Sequence, residues 1–227
     1  MKSRFTLLAV LTLACLALAA VPALAAPSMA LYTNGSFLTN TSVSGAGISP
    51  NFNSVIDNSY VCPFIDCDVT GFTFWGYVNQ GVGASSLTSV NWWLTNPEFN
   101  FKSPYGSAVN APVLQIGSCF GVNTYNLCLF SVNFGTSIDV PGGGGWLNMS
   151  NALTTLPGTS VYWSSAAPPA PSTGLALNTI TGFIGGFSPS SSFTLYGTPT
   201  TPEPGSMVLL GTGVLGLAGA LRRKLKF

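Results

Sequence analysis

The 227-residue chain contains no histidine and very few charged residues. Without histidine it lacks the usual general base, a Ser-His-Asp arrangement and the commonest metal ligand. Charged side chains make up only 6% of the chain, and Lys102 is the one cation between residues 26 and 201. Nucleic-acid binding needs a cluster of cations, so this composition argues against a nucleic-acid partner.

Acidic side chains are scarce as well, and they limit the chemistry of the chain. Between residues 26 and 201 one cation stands against five acids, which leaves a net charge of −4; the acids are Asp57, Asp66, Asp68, Glu98 and Asp139. Glu98 with one of the aspartates is the only kind of carboxylate pair available for glycoside hydrolysis. Glu98 lies in the loop sequence TNPEFN, where an ordinary exposed acid is expected. We therefore predict no catalytic residues and no cofactor.

Three of these aspartates could instead contribute oxygen ligands to a calcium ion. Asp66 and Asp68 flank Cys67, and Asp57 precedes them by nine residues. Calcium prefers several carboxylate and carbonyl oxygens, and an extracellular loop could supply them. The alternative is ordinary turn chemistry next to a cysteine, and no EF-hand pattern is present.

The two ends of the chain indicate export. Lys2 and Arg4 precede an apolar run at 5–18, and Ala23 and Ala25 form an A-x-A cleavage site. This order is typical of a secretory signal peptide, so we predict a signal at 1–25 that is cleaved after Ala25. An uncleaved membrane anchor is the alternative interpretation.

The C-terminal end has a second membrane-related pattern. Residues 198–204 read TPTTPEP, a stiff polar spacer, and residues 205–221 are uncharged and apolar or small. A helix of that length spans about 25 Å, near the lower limit for crossing a hydrocarbon core. Four basic residues follow this segment and should stay in the cytoplasm. They are Arg222, Arg223, Lys224 and Lys226. We expect 205–227 to anchor the precursor in the inner membrane with the preceding domain outside the cytoplasm, rather than to form a buried core helix.

Four cysteines remain after the signal, and an exported chain should oxidise them. Their close spacing favours two local disulfides, Cys62–Cys67 and Cys119–Cys128, over the two other connectivities. The spacing does not match a zinc site, and no histidine is available to complete one.

The exported part, residues 26–197, is rich in short alternating apolar runs. They lie at 72–78, 90–94, 113–116, 128–134, 161–163 and 193–195, with Gly, Pro, Asn or Ser between them. Such runs predict an all-β antiparallel sandwich or jelly roll. The run PGGGG at 141–145 should join two strands rather than divide two domains. Adjacent Trp92 and Trp93 must point to opposite faces of a strand, so one of them is a candidate for contact with a sugar ring, although core packing is the alternative.

The tail allows a family resemblance to be stated. Pro202, Glu203 and Pro204, followed by GSMVLLGTG and a basic end, make the tail resemble the PEP-CTERM sorting domain of Gram-negative bacteria. The resemblance implies recognition and processing by an exosortase, a membrane enzyme, in an exopolysaccharide-producing host that forms biofilm or flocs. It also implies delivery to the cell surface or extracellular matrix.

The exported domain more loosely resembles PEP-CTERM proteins of unknown role. The resemblance lies in LYTNGSF at 31–37, SVNWWLT at 89–95, and VYW at 161–163 with SFTLYGTPTTPEP after it. Those relatives often have an acidic residue after YW, where this chain has Ser164, and no activity carries over. The first hypothesis is a non-enzymatic surface or matrix protein. The second is a carbohydrate-binding module held in exopolysaccharide, and the third is a secreted glycoside-active enzyme.

Overall fold

The computed structural model of the protein describes residues 28–37, 45–79, 87–167, 173–187 and 190–200, together with Gly213. These residues form antiparallel strands and one 3₁₀ turn at Pro50–Phe52. In chain order the strands are β1 (Met29–Thr33), β2 (Gly45–Gly47), β3 (Ser54–Tyr60), β4 (Asp66–Asn79), β5 (Leu87–Thr95), β6 (Gly106–Pro112), β7 (Leu114–Val122), β8 (Tyr125–Pro141), β9 (Gly145–Thr154), β10 (Val161–Ser164), β11 (Gly174–Asn178), β12 (Ile184–Phe187) and β13 (Phe193–Thr200).

The strands form two sheets. The first sheet is organised around β4, which pairs with β8 along one edge and with β13 and then β10 along the other. In the same sheet β1 flanks β13, β2 flanks β10 and β7 flanks β8. The second sheet has the order β12-β11-β3-β9-β5-β6. Every pairing within these two sheets is antiparallel, which confirms the predicted all-β class.

Period-two alternation in the sequence explains which side chains lie between the sheets. In β4, Phe72 and Phe74 are buried, and in β5 Trp92 is buried. Phe72 of the first sheet meets Trp92 of the second edge-on, with ring centroids 6.3 Å apart, and Phe134 stacks on Trp92 at 4.0 Å. Apolar side chains from both sheets therefore form one core, as in a β-sandwich. Each predicted strand run lies in a strand, except that Val113 comes just before β7.

Both predicted disulfides are present. Cys62 pairs with Cys67 across the loop that leads into β4, and Cys119 pairs with Cys128 between β7 and β8. Residues 142–144 form the turn between β8 and β9, so the glycine run joins two strands as predicted. Gly144 has φ +93°, and a Cβ there would collide with the backbone carbonyl of Tyr60, so only glycine fits this turn.

One predicted boundary needs correction. The spacer was expected to begin at residue 198, but β13 continues to Thr200 and pairs with β4 throughout. Pro199 is tolerated because β1 pairs only as far as Gly197, so none of the described strands pairs with the outer edge of β13 at this point. The folded domain therefore extends three residues into the predicted spacer.

The signal at 1–25 and the segment at 205–227 lie outside the described residues, apart from Gly213. Within the described part of the chain, a helix with the length and apolarity of a membrane span is not found.

Candidate functional site

The predicted sorting segment follows directly from the last strand of the first sheet. β13 ends at Thr200, which is opposite Asp66 in β4, and Asp66 is opposite Pro141 in β8. The sorting motif Pro202, Glu203, Pro204 comes two residues later and lies outside the described residues, as do Arg222, Arg223, Lys224 and Lys226. The motif is therefore joined to the end of the domain where β4 begins.

The two adjacent tryptophans of β5 have different environments. Trp92 is only 3% exposed and belongs to the core, so it is not the outward tryptophan of the two and has no surface for a sugar. Trp93 points to the outer face of the second sheet and is half-buried beneath the loop after β5, where its ring lies 5.1 Å from that of Phe101. Of these two tryptophans, Trp93 remains the candidate for ligand contact.

An aromatic surface that the sequence did not reveal lies on the outer face of the first sheet. The rings of Phe37 and Trp75 are 4.3 Å apart, and Phe120 lies 6.0 Å from Phe37 and 6.1 Å from Trp75. Phe120 is 53% exposed, and Ile116 of β7 is also exposed nearby, opposite Leu129 in the sheet. We call Phe37, Trp75 and Phe120 the Trp75 patch. The residues come from three distant parts of the chain, although the apolar character of both faces of β4 was visible in its sequence.

Asp57 is the most perturbed acid in the described residues. It lies in β3, is fully buried, and accepts a 3.3 Å hydrogen bond at Oδ2 from the backbone N–H of Phe99. Burial raises the pKa of Asp57 to about 8, the Phe99 hydrogen bond opposes this rise, and the nearby Glu98 charge adds to it. The carboxyl group is therefore mostly protonated at neutral pH.

Asn148 faces Asp57 across the β3–β9 pair. The Nδ2 amide of Asn148 donates to Oγ1 of Thr95 at 3.0 Å, while Oδ1 of Asn148 and Oδ1 of Asp57 are buried and have no hydrogen-bond partner. A protonated Asp57 can donate from Oδ1, and Asn148 Oδ1 is an acceptor directly opposite it. A protonated Asp57 therefore suits this buried position. The hydrogen bond from Phe99 to Asp57 also holds the loop 96–105 over the outer face of the second sheet.

The structure does not bring the three calcium candidates together. Asp57 is in the second sheet, whereas Asp66 and Asp68 are at the start of β4 in the first sheet. No group of three or more His, Cys, Asp or Glu side chains within the described ranges could hold a metal ion. The expectation of a calcium site formed by these aspartates is corrected accordingly.

Of the pairs that Glu98 could form with an aspartate, the pair with Asp57 has an unsuitable geometry for glycoside hydrolysis. Glu98 is exposed and close enough to Asp57 to raise its pKa, so these two acids are neighbours. Asp57, however, has no exposed surface and its Oδ2 is held by the backbone of Phe99. The two acids therefore do not face each other across an open groove, which hydrolysis of a glycosidic bond requires.

A partly open cleft of about 270 Å³ lies beside the 3₁₀ turn and the end of β9. Its lining contains only uncharged residues, which are Ser49, Pro50, Asn53, Ser54, Ser150, Asn151 and Thr179. Asn53 and Asn151 both have φ near +49°, a left-handed conformation that asparagine tolerates better than most residues. The cleft offers hydroxyl and carboxamide groups without a nucleophile–base pair.

Comparison with known proteins identifies the C-terminal segment. The family model described as "PEP-CTERM protein-sorting motif" matches residues 200–224. Searches among curated proteins and among solved structures found no match for the chain. The motif implies an exported protein that an exosortase processes and that is sorted to the cell surface. The chain therefore carries a PEP-CTERM protein-sorting motif at residues 200–224, and the motif rather than the β domain is what the comparisons identify.

Proposed function

We propose that this chain is a non-enzymatic surface or extracellular-matrix protein that works in association with exopolysaccharide. The observation that carries the proposal is the PEP-CTERM motif at residues 200–224, placed directly after the strand that ends the folded domain. In this proposal residues 205–221 hold the precursor in the inner membrane, the basic tail stays cytoplasmic, and the exosortase acts at or near the motif. The product then reaches the surface or matrix.

Cell fractionation tests this sorting route. The triple substitution Pro202→Ala, Glu203→Ala and Pro204→Ala should leave the precursor in the inner membrane at full size, because the apolar segment and the cations are unchanged. Thr200→Ala with Thr201→Ala is a matched control, since it changes neighbouring polar residues and keeps Pro202, Glu203 and Pro204. Arrival of the triple variant at the surface, with normal size and amount, would refute processing through this motif.

A second candidate function is carbohydrate binding, and the Trp75 patch favours it. Its three rings are presented on the outer face of a sheet, and Phe120 is more than half exposed. Flat aromatic rings can stack against the apolar faces of sugars, as aromatic pairs stack on each other. No charged side chain is among the three, which suits a neutral sugar chain. Trp93 is a smaller candidate site on the second sheet, where it packs on Phe101.

Sedimentation with isolated exopolysaccharide tests this candidate. Trp75→Ala with Phe120→Ala should weaken binding by about 2- to 10-fold for each ring removed, from stacking of about 0.5–1.5 kcal/mol. Phe183→Ala is the control, because Phe183 is exposed on the hairpin between β11 and β12. If both variants bind as well as the parent protein, the Trp75 patch does not contact the polysaccharide.

A further inference from the structure

The loop that precedes β4 exposes a compact group of large apolar side chains. Val61 is 54% exposed, Phe64 36% and Ile65 65%, within five consecutive residues. The Cys62–Cys67 disulfide closes this loop, and the carbonyl of Ile65 accepts a 2.6 Å hydrogen bond from the N–H of Gly142. The loop is therefore held in place, and its apolar side chains are presented to the outside. Such a group on a surface that is otherwise rich in small polar residues indicates a contact surface.

This apolar loop, residues 61–65, lies where the chain leaves the folded domain. Thr200, the last residue of β13, is opposite Asp66, and Pro199 is opposite Cys67. Four residues lie between Thr200 and the start of the apolar segment at 205, which makes five Cα–Cα steps. Fully extended, they span at most about 18 Å. The apolar loop therefore lies at the end of the domain from which the chain leads to residues 205–221, within reach of a bilayer that this segment enters.

Another exposed apolar group is at the opposite end of the sandwich. Ile180 and Phe183 lie in the hairpin between β11 and β12, and Asn178 of this hairpin is opposite Ser54, the first residue of β3. The apolar loop follows Tyr60, the last residue of β3. Seven residues of strand separate the two groups by roughly 20 Å. The hairpin therefore provides a control surface of similar chemistry at a different distance from the membrane.

We propose that the apolar loop 61–65 rests on the lipid surface in the membrane-anchored precursor. Phe64 and Ile65 contact the boundary between headgroups and acyl chains, which fixes the orientation of the domain above the sorting motif. The contact is apolar rather than electrostatic: the neighbouring charges are Asp66, Asp68 and Asp139, and Lys102 is the only cation in the described residues. It needs no anionic lipid. The inference rests on the proposed insertion of residues 205–221 into the membrane.

Photo-crosslinking of the full-length precursor tests the lipid contact. The precursor is inserted into phosphatidylcholine vesicles with benzoylphenylalanine in place of either Phe64 or Phe183, and lipid adducts are counted by mass spectrometry. Adducts at position 64 should exceed those at 183 about tenfold, because position 183 lies roughly 20 Å farther away, beyond the reach of the probe. Equal yields, or none at 64, in vesicles that keep the protein through an alkaline wash would overturn the inference and leave membrane insertion intact. Release of the protein by the wash would overturn both.

A second set of variants shows whether the apolar side chains make the contact. With benzoylphenylalanine at Val61, the pair Phe64→Ser and Ile65→Ser should lower the lipid adduct yield several-fold. The matched pair Ile180→Ser and Phe183→Ser should leave the yield unchanged. Disulfide mapping of Cys62–Cys67 in each variant checks that the loop is still closed. An unchanged yield in the Phe64→Ser, Ile65→Ser variant would mean that these side chains do not hold the loop against lipid, contrary to the proposal.

Discussion

Trp92 and Trp93 are adjacent in β5 but contribute differently to stability. Trp92 lies in the core, where Phe134 stacks on it and Phe72 meets it edge-on. Trp92→Ala should lower the free energy of unfolding by about 3–5 kcal/mol, since it leaves a cavity between the sheets. Trp93→Ala should cost clearly less, because Trp93 is half-buried against one loop. Urea denaturation of the two variants measures the difference, and equal losses would contradict the assignment of the two faces.

Asp57 should make stability depend on pH in an unusual direction. Its pKa rises from an ordinary value of 3.8 to about 8 in the folded protein, mainly through burial. Between these values the unfolded chain ionises while the folded protein keeps its proton, so stability falls as pH rises from about 4 to about 8 and is level above that. At about 1.4 kcal/mol per pH unit, the total loss is at most on the order of 5 kcal/mol.

Asp57→Asn tests this dependence. The amide can accept from the Phe99 N–H and donate to Asn148 Oδ1, as the protonated acid does, but it does not ionise. Urea denaturation at pH 5 and pH 8 should show a smaller pH difference for the variant and higher stability at pH 8. Asp139→Asn, which removes an exposed acid, should keep the slope of the parent protein. A parent-like slope in Asp57→Asn would show that another group is responsible.

At the scale of elements, the two disulfides differ in their surroundings. Cys62 and Cys67 are both buried where the loop enters β4, whereas Cys119–Cys128 joins β7 to β8 with Cys128 buried and Cys119 half-buried. Loop closure of this length contributes about 2–3 kcal/mol in the chain-entropy account. Replacing Cys62 and Cys67 with alanine should cost more than replacing Cys119 and Cys128, because it removes two buried sulfurs instead of one, and the difference in loop length is worth only about 0.5 kcal/mol. Urea denaturation measures both losses, and the reverse order would contradict this account.

The strands could be predicted from the sequence because a strand depends on local alternation of apolar and polar residues. Both disulfides could be predicted because each pair of cysteines is close along the chain. The order in which the strands pair could not be predicted from local patterns, because the partners of β4 come from distant parts of the chain. They lie at residues 125–141, 161–164 and 193–200. The true end of β13 was hidden by Pro199, which normally argues against a strand and is tolerated here at an edge with which none of the described strands pairs.

Among the candidate sites, too, the sequence predicted those that depend on a local pattern and missed those that depend on contacts between distant residues. The sorting motif is a linear pattern, so the sequence alone was sufficient to find it. The Trp75 patch brings together residues 37, 75 and 120, and no local pattern connects them. The same limit applies to Asp57: a lone aspartate in an alternating run does not reveal that the loop 96–105 covers it. Trp92 and Trp93 were known to face opposite sides, but the sequence did not say which faced inward.

At the scale of the whole molecule, the distribution of charge decides how the exported protein can be retained. Lys102 is the only cation between residues 26 and 201, against five acids. We therefore expect little attraction between this region and an acidic matrix polymer, and we expect the proposed retention to rest on neutral contacts such as aromatic rings, hydroxyls and carboxamides. Neutral contacts are not screened by salt, in contrast to exposed ion pairs.

Extraction from intact cells tests this account of retention. Washing with about 1 M NaCl, which shortens the screening length to roughly 3 Å, should leave the processed protein on the surface. A chelator should also leave it there, since no group of acids in the described ranges could hold a metal ion. Lys102→Gln is the matched control and should be retained like the parent protein. Release by salt would indicate electrostatic retention, and release by the chelator alone would indicate that divalent cations bridge the acids to the matrix, so either result would contradict retention through neutral contacts.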